Sequence, residues 1–276
     1  MRSLSLSALA ILVLAVPAVS AQQDAVLLRR ELKPNFEDNY KMTVAIKQTI
    51  TMPNGTTMPD VTMTITSDLN FKGGAALKGD KLPVKITVSN YSVDSSVAMG
   101  DDMPKSVVVN GLMDNRGGVS EAVTEGLDPK VQQMNRQIMQ MMQNNGFPEK
   151  AVKPGDTWEV GTAPSPLFAN KPLKFHLKFE GERVVDSQTF WVVTAKETVP
   201  VSIDMSQVPE AADQPATQGM VINGDMDVTM EMLYEKSGRL FSVLGDVMTD
   251  MEVETPQANG KIHVVGDVIQ KMNLVK

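Results

Sequence analysis

The chain has no cysteine, which excludes a disulfide framework, a thiolate nucleophile and any cysteine-ligated zinc site. Histidine is scarce too. His176 and His263 are the two present, far apart in sequence, the first between Lys174 and Lys178 on a polar strand face and the second on the polar register of the last strand, so zinc binding and histidine-based proton transfer both lack their usual residues. No Gly-x-Ser-x-Gly elbow, phosphate loop or dinucleotide fingerprint occurs, because Gly73-Gly74 and Gly117-Gly118 sit in turns rather than at helix openings. Beyond the first residues no apolar run reaches the ~20 residues of a membrane-spanning helix. Positive charge is also in deficit: 26 Lys and Arg stand against 33 Asp and Glu, for a net charge of −7. Without basic clusters, neither nucleic acid nor an anionic membrane surface is an expected partner. These absences lead to an expectation of a non-catalytic protein with no cofactor and no metal.

What is present is alternation. In Asp225 to Tyr234 the even positions are apolar, and after Ser237-Gly238 the apolar register moves to Phe241, Val243, Val247, Met251 and Val253. A two-residue turn at Ser237-Gly238 pairs Tyr234 with Phe241, Met232 with Val243, Met230 with Gly245 and Val228 with Val247, which places all of them on one face. A second turn at Asn259-Gly260 returns the apolar positions to Ile262, Val264, Val268, Met272 and Leu274, pairing Met251 with Val268 and Val247 with Met272. The first turn also sets Asp225 opposite Asp250, and the second sets Glu252 opposite Asp267. A cation would relieve such like-charge pairs, although no calcium-loop glycine is present and a solvated acidic face is the simpler reading.

The first half repeats this logic. Tyr40 to Met52 alternate, Asn54-Gly55 is a strong hairpin signal, and pairing about it sets Ile46 opposite Met63 and Val44 opposite Ile65. Further strands are expected at Leu82–Val88, Ser106–Met113, Gly118–Val123, Leu173–Phe179 and Thr189–Thr198, with Phe190, Trp191 and Val192 ambiguous between faces. Pro200 marks an edge or a strand end. One helix is expected over 128–145, opened by Asp128-Pro129 and closed by Asn145-Gly146, with an apolar stripe of Val131, Met134, Ile138, Met141 and Met142. Val152-Lys153-Pro154 echoes Leu32-Lys33-Pro34, and the turn containing Gly238 echoes the one containing Gly117 at nearly the same offset. Two echoes at one spacing predict similar β-halves over 28–125 and 150–276, joined by the helix.

Met1 to Ala21 reads as an export signal: Arg2, an apolar core from Leu4 to Val16, and the small-residue site Val19-Ser20-Ala21. Residues 22–276 then form a single β-rich domain, periplasmic or secreted. The export signal, the Lys-Pro-led first strand, the central helix, the Val152-Lys153-Pro154-Gly155-Asp156-Thr157-Trp158 segment and the Ser237-Gly238-Arg239-Leu240 hairpin together resemble a family of exported bacterial β-proteins of unknown function. That resemblance implies no catalytic residues. A long curled antiparallel sheet with a helix on its apolar face is similar, at the level of fold, to the periplasmic lipoprotein carriers.

The expected fold is therefore mainly β, with long antiparallel strands in a curled sheet, half-barrel or open barrel, and one central helix. The 20 methionines are better explained by adaptable packing than by Cu(I) ligation. The leading functional expectation is binding of a lipid-like or other apolar ligand on the concave sheet face, by Met134, Ile138, Met141, Met142, Met230, Met232 and Val243. The alternative is a structural or interaction protein of the cell envelope, with a packed core and an envelope protein docked on a strand edge or on the loop from Gln207 to Gln218.

Overall fold

The computed structural model describes residues 24–97, 106–125, 146–161, 172, 174–207, 217–256 and 260–275. The expected export signal, the helix over 128–145 with its whole methionine stripe, and most of the loop after Gln207 lie outside the described residues.

Eleven strands account for nearly all of the described structure: β1 (Glu37–Thr51), β2 (Val61–Gly73), β3 (Leu82–Ser95), β4 (Ser106–Met113), β5 (Val119–Glu125), β6 (Thr157–Gly161), β7 (Lys174–Val185), β8 (Gln188–Asp204), β9 (Val221–Tyr234), β10 (Leu240–Glu254) and β11 (Lys261–Val275). They form one antiparallel sheet in the order β5-β4-β3-β2-β1-β11-β10-β9-β8-β7-β6, not closed into a barrel. Two consecutive meanders, β1 to β5 and β6 to β10, are thus joined by β11, which enters between β1 and β10.

Alternation decides the faces. About Asn54-Gly55 the chain pairs Val44 with Ile65 and Ile46 with Met63, and Gly55 takes the left-handed φ of 81° that such a turn requires. In the β9–β10 hairpin Met232 faces Val243, Met230 faces Gly245 and Val228 faces Val247, all as the turn arithmetic requires. The expected Tyr234–Phe241 pair does not form. A bulge between Leu240 and Ser242 gives Leu240 to Tyr234 instead, and the extra residue turns Phe241 to the opposite face, where its ring lies 4.4 Å from that of Phe190.

The β10–β11 register also departs from expectation. Val247 pairs with Val268, Met251 with Val264 and Val243 with Met272, a slip of four residues; the last pair is Glu254 with Lys261, which excludes the register of a two-residue turn at Asn259-Gly260. An even slip preserves parity, so the apolar side chains remain on the intended face. Glu252 moves opposite His263 rather than Asp267 and forms an ion pair with Lys261 at 2.6 Å. Asp225 does face Asp250. Pro200 lies within β8, where β9 pairs with it but the β7 ladder has already ended at Ala195. The missing N–H is therefore on a locally unpaired side.

The two meanders repeat their turn hydrogen bonds. Asp114 N–H donates to Gly118 O and Gly117 N–H to Asp114 O, just as Glu235 N–H donates to Arg239 O and Gly238 N–H to Glu235 O. Each turn also receives a preceding segment. Glu31 N–H donates to Ser237 O, Phe147 N–H donates to Arg116 O, and Val26 and Val152 join the two segments through a short antiparallel bridge. The main core gathers there: Leu28, Phe147, Val152, Phe179, Trp191, Val193 and Met232 are buried together. Trp191 thus belongs to the inner face with Val193, while Phe190, Val192 and Leu233 form a smaller cluster on the other face.

Candidate functional site

Above this core the inner face does not fill. A cavity of about 430 Å³ is lined by Tyr40 of β1, Phe71 of β2, Ile86 of β3, Met113 of β4, Val119 and Ala122 of β5, Trp158 and Val160 of β6, Phe175 and Leu177 of β7, Val193 and Ala195 of β8, Met230 and Met232 of β9, and Leu240 of β10. Every strand except β11 contributes, so side chains near both edges of the strand order face the same space. Its volume lies within the ~300–1,000 Å³ usual for small-molecule sites, and a mostly apolar wall with few polar groups is typical of them.

The polar groups collect at the end where the turns and the incoming segments meet. Arg30, Arg116, Gly117, Gly146, Phe147 and Gly238 line the cavity there, and no acidic side chain is among the described lining residues. Arg30 donates to Asp38 at 2.5 Å, and both side chains are nearly buried, at 11% and 4% exposed. Arg30 also lies 4.7 Å over the Phe36 ring, while its Nε is buried without a hydrogen-bond partner. Asp38 is shared with Arg239 at 3.6 Å, which in turn pairs with Glu235 at 2.5 Å. Arg116 Nε donates to Phe147 O at 2.7 Å, and its ion pair is to Glu149, which is 79% exposed. Arg29 is spent on structure: it donates to Leu28 O, Pro148 O and Glu149 O. Burial, and secondarily the charge of Arg116, lower the Arg29 pKa. Tyr40 donates to Leu240 O at 2.9 Å, and burial raises its phenol pKa, with Asp38 adding to the effect.

Of the residues singled out from the sequence, Met230 and Met232 line the cavity. Val243 pairs with Met232 and packs against the core beneath without reaching the cavity wall. Met134, Ile138, Met141 and Met142 lie outside the described residues. Both histidines are exposed; His176 Nδ1 is 3.1 Å from Glu197 and His263 Nε2 is 2.6 Å from Asp250. Among the described residues no cluster of three His, Cys, Asp or Glu is gathered for a metal, and no helix is long and apolar enough to cross a membrane.

No protein-family model matches the chain, and no curated protein matches it. Among solved structures it is similar to lipovitellin, from a study of lipid–protein interactions, at 12% identity and a TM-score of 0.42. That match covers 89% of this chain and 26% of lipovitellin, so the chain spans about a quarter of that protein. DynF of the dynemicin pathway of Micromonospora chersina matches at 10% identity over 98% of this chain and 94% of its own, with a TM-score of 0.24. A DUF1329 family protein from Desulfovibrio piger matches at 10% identity over 86% of this chain and 85% of its own, with a TM-score of 0.15. Likenesses this distant carry no functional argument.

Sequence reasoning missed Arg30, Arg116, Trp158, Phe175 and Ala195. The Leu28-Arg29-Arg30 segment has no strand or helix period, so nothing local shows that it folds back onto the sheet. Phe175 and Leu177 were visible as alternating apolar positions, but their arrival opposite Tyr40 and Met113 depends on β11 joining the meanders.

Proposed function

We propose that the protein is a non-catalytic, exported binder of a lipid-like or other apolar small molecule, which it holds in the space between its two meanders. In this reading the sheet acts as a half-barrel whose two halves derive from an internal duplication; the matching turn hydrogen bonds about Gly117 and Gly238 support that origin. The observation that carries the functional reading is the cavity of about 430 Å³ walled by apolar side chains from ten strands. Burial contributes about 25 cal/mol per Å² of apolar surface, so an apolar molecule that enters this space and covers its walls is stabilised there.

The test is native mass spectrometry of protein purified without denaturant, together with quenching of Trp158 fluorescence by a bromine-labelled alkyl chain. A retained apolar mass, or saturable quenching, is the expected result. Loss of both would overturn the reading and favour a packed envelope protein.

A further inference from the structure

We propose that the cavity takes a single-chain amphiphile with an anionic head, its head between Arg30 and Arg116 and its tail running toward Phe175 and Ala195; this rests on the apolar-binding reading above. The wall is bipolar. At the end away from the turns Val160, Phe175, Ala195 and Met230 offer nothing to a polar group, whereas the two charged side chains of the described lining, both arginines, stand at the turn end. A cation there would meet two guanidinium groups, whose carboxylate partners Asp38 and Glu149 are not among the described lining residues. A carboxylate or phosphate would meet planar donors suited to it.

Neither arginine is fully used by the protein. Arg30 lines the cavity, and its bond to Asp38 engages one terminal nitrogen of the guanidinium; its Nε is buried away from the cavity as well as from water. The counter-ion of Arg116, Glu149, is largely in water, where an ion pair contributes little. Arg116 also stands close enough to Arg29 to weigh on its charge, and an anion between the segments relieves that repulsion. The volume of about 430 Å³ lies in the lower half of the usual ~300–1,000 Å³ range for small-molecule sites, which favours one chain over a multi-chain lipid.

The experiment titrates the delipidated full chain with hexadecanoate, hexadecyl phosphate, hexadecanol and hexadecyltrimethylammonium, which share one tail, and follows tryptophan fluorescence. Binding of the two anions at least tenfold tighter than of the alcohol is expected, given the strength of charge-assisted hydrogen bonds; their order separates carboxylate from phosphate as the head. R116Q should weaken binding of the two anions far more than binding of hexadecanol and so remove most of that preference. The double variant R30Q/D38N, which removes the buried pair as a unit, should do the same and guards against misfolding of a single substitution. Equal affinity for hexadecanoate and hexadecanol, or tightest binding of the cation, would overturn the anionic assignment while leaving an apolar site in place. Binding of none of the four would overturn both readings.

Discussion

Ala195 offers a substitution whose sign, rather than size, distinguishes a hollow interior from a filled one. It is 4% exposed, pairs with Leu177 on one side and Met230 on the other, and lines the cavity together with both. Ala195→Leu adds three carbons. At about 0.8 kcal/mol per buried CH₂ the gain is at most ~2.4 kcal/mol, and ordering the new side chain takes back roughly 0.5–1 kcal/mol. If the space is empty in the ligand-free protein, the variant is therefore more stable by about 1–2 kcal/mol. If the interior is packed, inserting a larger side chain costs about 1–3 kcal/mol. Urea denaturation of delipidated protein reads the difference as a shift in midpoint at constant slope. A stabilised variant should also bind hexadecanol more weakly, because the leucine occupies the tail's place. Destabilisation with unchanged binding would refute the cavity.

The two echoed turns should differ in tolerance: Gly117→Ala meets open space and costs only the left-handed backbone penalty of about 1–2 kcal/mol, whereas Gly238→Ala would put a Cβ 2.2 Å from Arg29 O and should lose at least about 3 kcal/mol, both read by denaturation. Asp38→Ala strands the nearly buried Arg30 and should cost roughly 3–5 kcal/mol, while the paired change R30M/D38L should recover most of the loss; equal losses in the two proteins would show that the pair is not buried in solution. Glu231 is bonded through both oxygens by Arg183, chiefly because of which its pKa is lowered below the ordinary carboxylate value. A lowered folded pKa contributes stability that is present above the unfolded value and lost as pH falls through the folded one. Since both groups are more than a third exposed, Glu231→Gln should cost no more than about 1 kcal/mol at pH 7, and its denaturation midpoint should converge with that of the unaltered protein in acid.

Parity survived from sequence to structure because a strand's two faces are written residue by residue. Val44 with Ile65 and Met232 with Val243 could be paired on paper since a glycine turn fixes both register and face. The misses share a cause. The Gly-containing dipeptides imply ideal turns before Phe241 and at Asn259-Gly260, whereas the chain has a bulge between Leu240 and Ser242 and a β10–β11 register four residues away, neither of which has a local signature strong enough to override such a dipeptide. The partnership of β1 with β11, which pairs Val44 with Gln270 and Ile46 with Val268, has no local signal at all. The site suffered most from this, since Arg30 reaches it through a segment without periodicity, Arg116 reaches it from a turn whose neighbours have no local signal, and Phe175 and Tyr40 line one space only after a pairing more than two hundred residues apart in sequence has formed.

That pairing gives β11 a role out of proportion to its absence from the cavity wall. One wall comes from β1 to β5 and the other from β6 to β10, and neither meander alone encloses anything. β11 is bonded along its length to Asn39–Thr51 on one side and Ser242–Glu254 on the other, so it sets the register, and through the sheet's twist the angle, at which the two walls meet. The incoming segments fix the opposite constraint, tying Val26 to Val152 and both arginine-bearing regions to the turns. With the walls held by β11 through the sheet, and by these segments and the core they bury at the turn end, the space between them is bounded by backbone hydrogen bonds on one side and packed side chains on the other. A fold held in that way can leave its middle unfilled without collapsing, which is the condition a binding cavity requires.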